Sequence, residues 1–84
     1  MKLEVRLFAV LREKLPDAPR GRATVDLPDG TTLWDLLGRL EIPPAQAQIV
    51  LVNGIQIPRD RETRERRRLE AGDVVAIFPP VAGG

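Results

Sequence analysis

The sequence predicts an α+β fold, a mixed β-sheet with one main helix packed across it. Three observations predict it. Residues 2–9 and 22–27 alternate apolar and polar side chains with the period of a half-buried strand. Leu33, Leu36, Leu37 and Leu40 recur at the i, i+3, i+4, i+7 spacing of one helix face. Two further apolar runs, 48–52 and 74–78, are short and bounded by turn residues, as buried strands are. One helix laid over one sheet buries both apolar faces economically.

Each element has its own local reasons. In the first strand Leu3, Val5, Leu7 and Ala9 share the inward face, and Lys2, Glu4, Arg6 and Phe8 share the other. Residues 10–21 can hold one helical turn around Leu11 and Leu15 before Pro16, Pro19 and Gly21 make a loop. The second strand sets Ala23, Val25 and Leu27 against Arg22, Thr24 and Asp26, and Pro28-Asp29-Gly30 ends it. Thr32 is placed to N-cap the helix, with Asp35 in its first turn, and Pro43-Pro44 forbid continuation. Gly38 costs this helix about 1 kcal/mol relative to alanine, and close packing on the sheet would account for it. Trp34 lies off the stripe, at the helix edge, and carries no assigned site. Asn53-Gly54 signals a hairpin between 48–52 and a return through Ile55 and Ile57, and turn chemistry accounts for the pair fully. The ten residues 59–68 have no apolar member and mixed charge, which reads as a solvated loop or short helix. Leu69 plugs the core, Gly72 and Asp73 turn the chain, and the last strand points Val75 and Ile77 inward and Val74, Ala76 and Phe78 outward.

Composition removes whole classes of function. The chain of 84 residues is one domain's worth. It has no cysteine, so disulfides and thiol nucleophiles are out, and no histidine, so the commonest general base and metal ligand are absent. No metal site is expected. A net charge of +1 offers no bulk attraction to nucleic acid or membrane, and neither is expected as a partner. No signal-peptide pattern and no long apolar run are present, so a cytoplasmic location is the expectation.

The most informative stretch is the end. Leu69-Glu70-Ala71-Gly72-Asp73, followed by Val74-Val75-Ala76-Ile77-Phe78-Pro79-Pro80-Val81-Ala82-Gly83-Gly84, resembles the MoaD/ThiS group of ubiquitin-like sulfur carriers, and most of all its MoaD branch, the small subunit of molybdopterin synthase. Leu7-Phe8-Ala9 with Leu11-Arg12-Glu13, and Val52-Asn53-Gly54, are similar to that group's first strand and mid-chain hairpin. The heavily charged 59–68 stretch departs from it. The resemblance implies a β-grasp (ubiquitin-like) fold over 1–78, with the last strand beside the first and parallel to it, and a flexible tail over 79–84.

It also implies the chemistry. A carboxylate ionised at neutral pH is a poor acyl donor. An E1-like, MoeB-like enzyme using ATP would adenylate the Gly84 carboxylate, sulfur from a sulfurtransferase would displace AMP, and the thiocarboxylate would supply the dithiolene of molybdopterin. No cofactor is expected to be bound by the chain itself. The tail has the right residue types for entering a narrow channel. Gly83 and Gly84 are slim, Pro79 and Pro80 restrict its base to extended conformations, and Val81 and Ala82 complete a reach of at most ~20 Å. If the first and last strands are adjacent and parallel, Phe8 and Phe78 meet at the base of the tail. Exposed aromatics so placed, with Arg12 nearby in sequence, are the expected interface with a large, MoaE-like catalytic subunit. Three uses of this tail stay open: molybdopterin synthesis, sulfur delivery for tRNA thiolation or thiamin, and conjugation to proteins. A non-catalytic binding module is the remaining reading.

Overall fold

The computed structural model describes residues 1–18 and 20–81. The two alternating stretches near the start form β1 (Lys2–Leu7) and β2 (Arg22–Asp26), paired antiparallel with Leu3 opposite Val25 and Glu4 opposite Thr24. The helical stripe forms α1 (Leu33–Arg39). Then come β3 (Ile49–Val52), β4 (Ile55–Gln56), a short helix α2 (Arg61–Arg66) and β5 (Val74–Phe78). The sheet order is β2-β1-β5-β3-β4. β5 runs parallel to β1, with Val5 opposite Val75, and antiparallel to β3. This is the β-grasp arrangement, with the last strand beside the first.

The inward parity of β1, β3 and β5 builds the core. Leu3, Val5 and Leu7, Val50 and Val52, and Val75 and Ile77 are buried under Leu33, Leu36 and Leu37 of α1. Each such side chain contributes about 1.5–3 kcal/mol by leaving water. Leu69 closes one side as the sequence indicates. Ile42 and Ala47, in the connection from α1 to β3, are core residues that periodicity did not mark.

Both ends of α1 are set by local chemistry. Thr32 accepts from the Asp35 backbone N–H at 3.2 Å, and Asp35 accepts from the Thr32 N–H at 3.1 Å, a reciprocal capping box. At the other end Glu41 takes a left-handed φ of 56°, while Ile42 N–H reaches Leu37 O at 2.9 Å and Glu41 N–H reaches Gly38 O at 3.1 Å. These bonds satisfy the last carbonyls in the Schellman pattern. They stop the helix before Pro43-Pro44, so the prolines bar any extension but do not make the stop.

Other expectations need correction. Ala9 is not an inward strand residue: β1 ends at Leu7, and Ala9 is exposed with a φ of 53°, opening a 3₁₀ segment (Ala9–Lys14) that buries Leu11. Gly38 is exposed, and a Cβ there would meet nothing within 4 Å, so sheet packing does not explain it. Ile55 is 68% exposed, and of the return pair only Ile57 is buried. The charged 59–68 stretch does form a short helix, but it is not wholly solvated: Arg64 is 1% exposed. No helix among the described residues is long and apolar enough to cross a membrane.

Candidate functional site

Parity carries the site. Leu7 of β1 lies opposite Ile77 of β5, both inward, so the next residues, Phe8 and Phe78, both face out on the side of the sheet away from α1. Phe8 has left the strand by hydrogen bonding but keeps extended dihedrals (φ −120°, ψ 154°), and so the alternation survives to it. The two rings stack with centroids 4.2 Å apart and planes 8° from parallel. Such a pair is worth about 0.5–1.5 kcal/mol beyond its buried area.

The turn back into β2 depends on Gly21. Its φ is 74°, its carbonyl accepts from Leu7 N–H at 2.6 Å, and a Cβ there would fall 2.2 Å from the Leu7 carbonyl oxygen. Only glycine permits that approach. It lets β2 close on β1 at the residue before Phe8.

β3 extends the apolar area. Ile49 lies opposite Phe78 and is 41% exposed, and Leu51 lies opposite Ala76. Sequence reasoning missed Ile49 and Leu51 as part of this face, although their parity against the buried Val50 and Val52 marks them. The open face is therefore divided. Phe8, Phe78, Ile49, Leu51, Ala76 and Val74 make an apolar half, and Lys2, Glu4, Arg6, Arg22, Thr24 and Asp26 a polar half. Within the polar half Arg6 Nε donates to Glu4.

The tail leaves from the apolar half. Pro79 is half-buried, while Pro80 and Val81 are exposed, Val81 at 81%. Ala82, Gly83 and Gly84, the end of the expected tail, lie outside the described residues. Arg12 is exposed in the 3₁₀ segment that packs beside β1 and β5, with Cγ next to Gly21. It makes no ion pair among the described residues. It is brought to the neighbourhood of Phe8 and not into the ring stack.

The described side chains assemble no acid–base site on this face. The groups with displaced titration belong to α2, which packs against α1 instead. The side-chain hydroxyl and backbone N–H of Thr63 hold the Asp60 carboxyl below its ordinary range. Burial holds the Arg64 guanidinium below its own. Nη2 of Arg64 donates to Ala47 O at 2.8 Å, and its buried Nε has no partner among the described residues. Trp34 is half-buried at the edge of α1, with the Arg61 guanidinium 4.8 Å above its ring. Among the described residues no three His, Cys, Asp or Glu side chains cluster to hold a metal.

Comparison with known proteins agrees with this architecture. No curated protein matches the chain. Solved structures do. The chain is similar to SAMP1 of Haloferax volcanii at 28% identity over 100% of both chains, with a TM-score of 0.67. It is similar to a Pyrococcus furiosus protein described as molybdopterin converting factor, subunit 1, at 25% identity over 96% of this chain and 99% of that one, with a TM-score of 0.68. The fold also matches the Helicobacter pylori complex of subunits 1 and 2 of molybdopterin-converting factor at 24% identity over 100% of both chains, with a TM-score of 0.59. A family model takes in residues 5–84, from the first strand through the glycine tail, and the chain belongs to the ThiS family.

Proposed function

We propose that this protein is a cytoplasmic sulfur carrier whose reactive group is the Gly84 main-chain carboxylate, and that it serves as the small subunit of a molybdopterin synthase. In this reading an ATP-using adenylating enzyme activates the carboxylate: a carboxylate oxygen attacks the α-phosphate and pyrophosphate leaves. The terminal sulfur of a sulfurtransferase persulfide then attacks the acyl carbon and AMP departs, and a second thiol attacks the carrier sulfur of the resulting acyl disulfide, forming a disulfide there and releasing the thiocarboxylate. A large catalytic subunit takes the tail into its own site and supplies the acid–base groups that the described side chains do not assemble on this face.

The observation that carries the reading is the stack of Phe8 on Phe78 at the root of the Pro79-Pro80 tail. With Ile49 beside it, the stack makes an apolar docking face from which a slim segment departs. A domain that docks by this face projects the tail forward into its partner. Subunits 1 and 2 of the H. pylori factor form a complex on the same fold, which supports a large-subunit partner here.

The reading is tested by reconstitution with a large subunit, an adenylating enzyme, a sulfur source and a cyclic pterin precursor. Deletion of Gly84 is expected to abolish dithiolene formation while binding to the large subunit survives. Undiminished product formation by the truncated chain would refute it.

A second reading, conjugation to protein lysines through the same activated tail, is favoured by the likeness to SAMP1, which is a small archaeal modifier protein. The same activated preparation, supplied with lysine-bearing acceptor proteins, distinguishes the two by whether an isopeptide adduct or the dithiolene accumulates.

A further inference from the structure

We propose that the β2 edge is a self-recognition edge, at which two copies of this chain pair antiparallel about Thr24 to join their sheets. β2 is the terminal strand of the sheet and, among the described residues, pairs only with β1. The β1–β2 ladder bonds Leu7 to Gly21 and Leu27 to Met1, so alternate residues of β2 spend their backbone groups on β1. By that alternation Arg22, Thr24 and Asp26 point their N–H and C=O groups out of the sheet. An edge with unpaired groups of this kind is a template for another strand.

The side chains select a second copy of the same edge. In an antiparallel pairing centred on Thr24, Arg22 of each copy lies opposite Asp26 of the other, and Ala23 lies opposite Val25 on the inner face. Every cross-strand pair is then compatible: two ion pairs, a threonine pair and two small apolar pairs. Among the described residues of its own chain Arg22 has no such partner. Its own cross-strand neighbour is Arg6, another cation, and it makes no ion pair among the described residues. Asp26 is exposed; its cross-strand neighbour is Lys2, and among the described residues its ion pair is with the N-terminal amine, at 3.3 Å.

The two-fold axis of this pairing stands perpendicular to the sheet. Both open faces therefore lie on the same side of one continuous sheet, and the apolar halves, centred on β5 and β3, stay uncovered. The two tails leave toward opposite ends. The pairing is thus compatible with the docking face described above and does not depend on what the tail carries. The contact is one short strand per copy, far below the ~1,200–2,000 Å² of a stable interface, so the dimer is a weak one.

The test uses the full-length chain and two variants, Arg22→Asp and Asp26→Arg. The wild type is expected to self-associate measurably in sedimentation equilibrium up to about 1 mM. At such concentrations the Arg22, Thr24 and Asp26 amides should gain protection from hydrogen exchange. Each variant alone sets like charges opposite one another and is expected to associate about tenfold more weakly or not at all. An equimolar mixture of R22D and D26R restores opposite charges at both positions, and it should associate more strongly than either variant alone. A wild type that is monomeric throughout, or a mixture no heavier than its components, would overturn the proposal. So would protection appearing at strands other than β2, which would place any association elsewhere.

Discussion

Asn53 and Asp73 lock the β3–β4 turn onto the start of β5. The Asn53 side-chain amide donates to Asp73 Oδ1 at 2.9 Å, and its Oδ1 accepts from the Val74 backbone N–H at 2.9 Å. Asp73 in turn accepts from Glu70 N–H at 2.8 Å through Oδ2. Asn53 is therefore more than a turn former: a residue chosen for its left-handed φ of 53° also fixes where β5 begins. Replacing Asn53 with Gly keeps the φ and removes both side-chain bonds. The expected cost is about 1–2 kcal/mol in urea denaturation. An unchanged midpoint would mean that the bridge adds nothing.

The docking face predicts a separation of binding from folding. Phe8→Ala with Phe78→Ala should weaken binding to a large subunit by about 2–4 kcal/mol in calorimetry, since both rings are anchors. A double-mutant cycle on stability should return a coupling of only about 0.5–1.5 kcal/mol. Normal binding by the double variant would put the docking surface elsewhere.

Arg64 tests whether a buried charge or a buried stem matters. Its hydrocarbon stem fills the space where α2 meets the 44–47 turn, and its guanidinium gains one hydrogen bond, to Ala47 O. Arg64→Met keeps the volume, frees the fold from a desolvated cation and loses that bond, and it should lie within about 1 kcal/mol of wild type. Arg64→Ala should cost about 2–4 kcal/mol through the cavity it leaves. Equal losses in the two variants would show that the charge itself is required.

Asp60 caps α2 and gives stability a sign with pH. Its carboxyl titrates below the ordinary aspartate range because Thr63 donates to it. The contribution is complete above the ordinary value and is lost as pH falls through the lowered one. Thermal unfolding in acid should show that loss in the wild type. Asp60→Asn, which still caps but does not titrate, should flatten it. An identical acid limb in both proteins would remove Asp60 from the account.

Much of the fold was legible because period and capping are local. The inward sets of β1 as far as Leu7 and of β5, the Thr32–Asp35 box and the outward parity of Phe8 and Phe78 needed only neighbours a few residues away. The stacking of the two rings also needed β5 to lie beside β1, and that came from resemblance. What escaped depends on distant contacts. Arg64 sits in a stretch with no apolar member, and only its approach to Ala47 buries it. Ala9 departs from the strand pattern because the chain must turn into the 3₁₀ segment there. Glu41 holds a left-handed cap normally given to glycine, so the end of α1 looked like the work of Pro43.

Intact-mass analysis tests the central claim most directly. The purified chain, incubated with ATP, an adenylating partner and a sulfur source, should gain the mass of one oxygen exchanged for sulfur, located by fragmentation at Gly84. A chain that is adenylated and still returns unchanged in mass, or that carries sulfur at any other residue, would contradict it.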